Sequence, residues 1–110
     1  MRFLSRSEEL VLLAVWKLKE DAYCVPIREH LNVLTGKNWS FGSIFDPLDR
    51  LEKKGLLWSI LTEPAKFRGG RSKRIYRITA DGKRALAEMH AMQKAMWAEA
   101  PDPEIEPEEA

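Results

Sequence analysis

Residues 40–78 read SFGSIFDPLDRLEKKGLLWSILTEPAKFRGGRSKRIYRI, and the hydrophobic period changes once along them. From Ser40 to Gly55, Phe41, Ile44, Leu48 and Leu51 recur every three or four residues, which places them on one face of a helix. Gly42, Ser43, Asp46, Asp49, Arg50 and Lys53 fall opposite, and Gly55 supplies a stop. Pro47 loses a backbone hydrogen bond inside a helix, so either the helix kinks there or its regular part starts at Ser43. Leu56 to Thr62 is then rich in strand formers, and Lys73 to Ile78 alternates basic with apolar residues. The link between them carries Pro64 and Gly69-Gly70. Two strands around such a loop predict a β-hairpin.

Working outward, Glu8 to Leu18 is apolar around much of its girth, with Leu10, Leu13, Ala14 and Trp16 to Leu18 at helical spacing. Ser5 or Ser7 can cap this first helix, and Glu8 and Glu9 suit the positive end of its dipole. A second helix is expected from about Val25, with Pro26 in its first turn, Ile27, Leu31 and Leu34 on one face, and Gly36 at its end. Lys37-Asn38-Trp39 links it to the third helix. After the hairpin, Thr79 followed by Ala80-Asp81-Gly82 looks like the cap and first turn of a fourth helix, running to about Trp97. The order helix, helix, helix, hairpin, helix predicts a mainly α fold with a small β-hairpin (α+β). It is a winged helix-turn-helix over residues 1–79, a C-terminal dimerisation helix over 80–98 and an acidic, disordered tail over 99–110.

The net charge of +1 conceals an uneven distribution. Residues 99–110, EAPDPEIEPEEA, hold six acidic residues and no basic one, so the 98 residues before them carry 18 Lys and Arg against 11 Asp and Glu. A body with a charge of +7 points to a polyanionic partner, nucleic acid being the commonest. No apolar run approaches the roughly 18 residues that span a bilayer, and the N-terminus lacks a signal-peptide core. Cys24 is the sole cysteine, so no intrachain disulfide forms, which fits a reducing compartment, and a cytoplasmic location is expected. Cys24 reads as a small buried apolar residue before a redox sensor. His30 and His90 have no companion ligands, so neither a metal nor a cofactor is expected.

In a helix-turn-helix the second helix of the motif enters the major groove with residues near its N-terminus. That end presents Ser40, Gly42 and Ser43: small residues, two with hydroxyls for phosphate or base edges, beside free backbone N–H groups. Trp39 and Phe45 flank them, Arg50 lies where it can reach the backbone, and Asp46 either accepts from a cytosine amine or caps. The hairpin adds Lys66, Arg68, Arg71, Lys73, Arg74 and Arg77, six cations within twelve residues, around a Gly-Gly bend suited to backbone or minor-groove contact. Taken alone, the same cations also suit a solvated hairpin protecting its strand edges.

The segments AYCVPIREHL (22–31), GSIFDPLDRLEKKGLL (42–57) and GGRSKRIYRITADGKRAL (69–86) resemble the PadR-like transcription regulators, over about Leu10 to Leu86. The resemblance implies a dimeric repressor-type protein whose third helix reads DNA, whose wing touches the backbone and whose C-terminal helix pairs with its mate. A single helix after the wing looks like the family's shorter branch. Phe45 stands where many relatives have Tyr, Cys24 where Gly is usual, and Pro26 is less typical.

Leu86, Met89, Met92 or Gln93, and Met96 recur along the fourth helix, with Trp97 at its end. This stripe seeks either the same helix of a second copy, with the first helix contributing, or the chain's own first helix. A two-fold dimer sets two recognition helices about one DNA turn apart, hence a palindromic operator. Some relatives hold planar apolar ligands between aromatic residues at the dimer centre, and Trp97 is the candidate for that role. A protein-docking winged helix without specific DNA binding is the alternative, and the acidic tail either contacts its own wing in competition with DNA or recruits a partner. Paired carboxylates, an activated nucleophile and a phosphate loop are all missing, so no enzyme is expected.

Overall fold

The computed structural model describes residues 3–63 and 72–101. Its elements are α1 (Arg6–Leu18), a 3-10 turn (Lys19–Asp21), α2 (Cys24–Thr35), α3 (Phe41–Lys53), β1 (Leu57–Leu61), β2 (Arg74–Ile78) and α4 (Ala80–Trp97). The two strands pair antiparallel, with Ser59 opposite Tyr76 and Trp58 opposite Arg77. This is the expected winged helix-turn-helix with a following helix. Among the described residues no helix is long and apolar enough to cross a membrane.

Each boundary has a local cause. Ser5 starts α1 with a reciprocal capping box: its hydroxyl accepts from the Glu8 amide at 3.1 Å, and its own amide donates to Glu8 Oε1 at 2.8 Å. Gly36 ends α2 in the left-handed conformation, at φ 69°. Ser40 caps α3, which starts at Phe41 and runs through Pro47 to Lys53. The alternative start at Ser43 is therefore set aside; Pro47 is buried, and the Ser43 carbonyl forgoes its helical donor.

The core forms where α1 crosses the other elements. Leu12, Val11 and Val15 from α1, Ile27 from α2, Ile44, Leu48 and Leu51 from α3, and Leu56 and Leu57 entering β1 are all fully buried. Truncating any of the large ones to Ala costs about 2–5 kcal/mol.

Several expected core positions lie elsewhere. On α1 the buried face is Val11, Leu12, Ala14 and Val15, whereas Leu13 and Trp16 are 40% and 41% exposed. A helix apolar on all sides does not declare which side its own chain covers. Leu34 and Phe41 are likewise exposed, because α2 and α3 each meet the core through a narrower stripe. On α4, Leu86 and Met89 are buried against the chain's own core, as in the second of the two arrangements that the spacing allows. Gln93 donates to both carboxylate oxygens of Glu9, at 2.9 and 3.1 Å. The last turn of that stripe is the most open, with Met96 74% and Trp97 64% exposed.

Thr79 and Gly82 join the wing to α4. The Thr79 amide donates to the Leu56 carbonyl at 3.1 Å and its hydroxyl to the Gly55 carbonyl at 2.8 Å. That hydroxyl also accepts from the Gly82 amide at 3.0 Å. Gly82 is pressed so closely onto the Leu56 carbonyl that no side chain fits there.

Candidate nucleic-acid interface

The start of α3 is held by a clamp that α2 builds around the intervening turn. The Asn32 side chain accepts from the Trp39 amide at 2.7 Å. Thr35 Oγ1 accepts from the Trp39 indole at 2.9 Å and donates to the Leu31 carbonyl at 2.6 Å. The Arg28 guanidinium donates to the Trp39 carbonyl and, at 2.8 Å, to Asn38 Oδ1, and lies 4.9 Å from the Phe41 ring centroid. The aromatic Trp39, expected among the DNA contacts, is thus turned back onto α2 and half-buried. Its indole N–H is already spent on Thr35, so it positions the turn. Arg28, Asn32 and Thr35 escaped sequence reasoning. Their spacing, four and then three residues along one helical face, was the available signal.

Beyond the clamp, Ser40, Phe41, Gly42, Phe45 and Asp46 are exposed and Ser43 is half-exposed. Ser40 Oγ accepts from the Ser43 amide and donates to Ser43 Oγ, both at 3.1 Å, while Ser43 Oγ donates to the Ser40 carbonyl at 2.7 Å. Both hydroxyl protons are therefore committed within the cap. What this turn offers outward is hydroxyl lone pairs, together with the Phe41 and Gly42 amides that precede the first helical hydrogen bond. Almost nothing approaches a Cβ placed on Gly42.

At the other end of α3, Arg50 Nε lies 3.4 Å and Lys54 Nζ 2.7 Å from Glu8 Oε2. Glu8 is buried. Burial alone pushes its carboxyl up, but the donors from Lys54 and Ser5 outweigh that and bring it down to about 2. Arg50 is still half-exposed, so it is both anchored and accessible. Sequence reasoning assigned Glu8 to the helix dipole and missed this long-range tie, which only tertiary contact creates.

On the wing, Lys66, Arg68 and Arg71 lie outside the described residues. Lys73 is placed with its ammonium 4.4 Å from the Tyr23 ring centroid, a contact worth about 0.5–1 kcal/mol at an exposed site. Arg74 donates to Ser59 Oγ at 3.0 Å, and Ser59 donates to Glu52 at 2.9 Å, joining β2 through β1 to the end of α3. Arg77 sits further along β2, half-buried. Cys24, at the start of α2, has its thiol pushed up by burial, against the opposing charge of Arg28, so it stays a thiol.

A second feature faces away from the core. Leu10, Leu13 and Trp16 of α1 and Leu86, Ala87 and His90 of α4 line an open, mainly apolar groove of about 470 Å³.

Comparison with known proteins gives one consistent result. The model of the transcriptional regulator PadR-like family matches residues 12–88. A PadR family transcriptional regulator from Eggerthella lenta DSM 2243 is 28% identical, with 82% of this chain and 76% of that one covered at a TM-score of 0.65. A PadR-like transcription factor from Bacteroides fragilis is 25% identical, covering 86% and 88% at a TM-score of 0.69. A transcriptional regulator from Clostridium thermocellum shares the fold at 16% identity, covering 83% and 85% at a TM-score of 0.67. No curated protein matches the chain significantly.

Proposed function

The chain belongs to the PadR-like family of transcriptional regulators, and on that premise we propose that it is a DNA-binding repressor acting as a homodimer on a palindromic operator. The observation that carries this reading is the exposed first turn of α3, stripped of bulk at Gly42 and held by the Arg28–Asn32–Thr35 clamp. In the major groove that turn donates amides to a phosphate, and its hydroxyl lone pairs accept from base amines. Phe45 and Asp46, one turn on, meet base edges or the thymine methyl, and Arg50 meets the backbone. Lys66, Arg68, Arg71, Lys73 and Arg74 of the wing supply the sequence-independent attraction.

The groove between α1 and α4, with Met96 and Trp97 beyond it, is the surface for the second copy. An apolar groove closed by the last turn of a partner's α4 gives a self-complementary two-fold contact. A planar apolar effector bound there would meet Trp16 and the adaptable methionines, with Trp97 as its expected aromatic wall.

The test is fluorescence anisotropy of labelled fragments spanning the gene's own promoter, titrated at several salt concentrations. Sequence-selective binding is expected. Each phosphate contact adds about 0.9 to the slope of log affinity against log salt, so Arg68→Ala/Arg71→Ala, which removes two such contacts from each protomer of the dimer, lowers that slope by about 3–4. Equal affinity for promoter and random DNA at moderate salt refutes the reading.

A further inference from the structure

At the base of the wing three cations share one cleft, and among the described residues no carboxylate lines it. The cleft holds about 270 Å³; Val15, Trp16 and Ile78 form its floor, and Lys19, Arg77 and Lys83 its rim. Among the described residues none of these three cations enters an ion pair. The carboxylate nearest Lys83 in sequence, Asp81, is taken by Arg84 at 2.6 Å. Lys83 lies 5.9 Å from the Trp16 ring centroid. Like charges gathered over an apolar floor favour an anionic occupant with an apolar centre. The cleft joins the end of α1, the end of β2 and the start of α4, whereas the wing loop leaves from the opposite end of β2.

The chain carries a matching segment. Residues 103–107 read PEIEP, an apolar β-branched side chain between two carboxylates, within a stretch that has no basic residue. Direction and length both suit it. At the end of α4, Ala98 (φ −57°, ψ 131°) and Glu99 (φ 64°) form a turn closed by the Ala100 amide donating to the Trp97 carbonyl at 2.9 Å. This is the form of a type II β-turn, which reverses the chain. Lys83 precedes Trp97 on α4 by about 21 Å of helix. An extended chain covers about 3.4 Å per residue, so from Ala98 it comes level with Lys83 near Glu104.

We propose that the segment centred on Ile105 docks into this cleft of its own chain. Ile105 meets the floor of Val15, Trp16 and Ile78, and Glu104 and Glu106 face Lys19, Arg77 and Lys83. Tethering keeps the local concentration of the segment high, so a weak contact is populated at low salt. Its ion pairs are solvent-exposed, so salt loosens it.

Nitrogen-15 correlation spectra of the full chain test this, with the Trp16 indole (assigned by its loss in Trp16→Phe) and the Arg77, Ile78 and Lys83 amides as probes. Glu104→Lys/Glu106→Lys is expected to shift these signals. Raising NaCl to about 0.5 M is expected to move the unaltered chain the same way and leave the variant nearly unchanged. A paramagnetic tag on Ala110→Cys, in a Cys24→Ser background, is expected to broaden the Trp16 indole of the chain that carries it. Probes that do not move on charge reversal overturn the proposal. Broadening seen only when tagged unlabelled chain is mixed with untagged labelled chain assigns the segment to a second copy, and overturns docking in the same chain.

Discussion

Gly82 is the position at which the junction between wing and α4 can be tested most directly. It lies in the first turn of α4, where an alanine raises intrinsic helix stability by about 1 kcal/mol. A Cβ there, however, would overlap the Leu56 carbonyl oxygen and sit 2.7 Å from Ile78 Cγ1. The isoleucine can rotate away, but the carbonyl is main chain at the entry to β1. Relief therefore requires α4 to move off the strand. Overpacking of this kind costs about 1–3 kcal/mol. The same movement stretches the Thr79 bonds to Leu56 and Gly55, each worth about 1 kcal/mol net. The steric and hydrogen-bond losses exceed the propensity gain, so Gly82→Ala is expected to destabilise by about 2–4 kcal/mol. Urea unfolding at fixed protein concentration, followed by far-ultraviolet circular dichroism, measures this as a lowered midpoint with unchanged slope. Ala91→Gly, at an exposed site on the same helix, serves as the propensity control and should lose about 1 kcal/mol. A Gly82→Ala variant as stable as the parent, or more so, refutes the close-approach reasoning.

Three further perturbations follow from the same structure. Glu8 has its carboxyl at about 2 when folded against 4.5 as its ordinary value, so its contribution is complete above about pH 4.5 and disappears as the pH falls towards 2. That contribution amounts to about 3 kcal/mol, so the stability difference between the parent and Glu8→Gln in urea melts should shrink as the pH falls across this window; a constant difference refutes it. Asn32→Ala leaves the Trp39 amide without its acceptor at a cost of about 1–2 kcal/mol. Operator affinity should fall by more than tenfold in anisotropy while the fold persists by circular dichroism, and an unchanged affinity would remove the clamp from DNA reading. Leu13→Asp places a charge in the α1–α4 groove without touching the core, and sedimentation velocity should show a dimer becoming monomer; an unchanged sedimentation coefficient refutes that interface.

The parts of this fold legible in the sequence are those written in short-range chemistry. The period change at Gly55, the cap at Thr79 and the stop at Gly36 each depend on a few adjacent residues and stand in the structure as expected, and of Ser5 and Ser7 it is Ser5 that caps α1. The exposed first turn of α3 was legible for the same reason. What stayed hidden depends on which of two plausible neighbours covers a face. Leu86 and Leu13 both lie on helices with apolar stripes, yet one is buried in the chain and the other is open. Spacing alone carries no information about that choice. Trp39 braces the turn before α3, a role that its place in the sequence could not separate from a DNA contact, since a large aromatic there suits either. Its indole partner, Thr35, lies four residues back, at the end of α2.

Two adjacent carboxylates at the start of α1 show how that short-range chemistry becomes long-range order. Glu8 faces α3 and holds Arg50 and Lys54; Glu9 faces α4 and accepts both bonds from Gln93, with Arg6 3.7 Å away. Both belong to one capped helical turn, and the Ser5 capping box restrains the backbone between them. Helical geometry then sets the two attachment points about 100° apart on a rigid cylinder. A displacement of α4 along α1 thus pulls on the same turn that anchors the far end of α3. The proposed dimer groove is lined by Arg6, Glu9 and Gln93 as well as by its apolar residues, so whatever fills it bears on this turn directly. In the proposed dimer the spacing of the two copies of α3 on a palindromic operator would then depend on how α4 seats on α1, and Glu9→Gln is expected to alter operator affinity although it lies outside every proposed DNA contact.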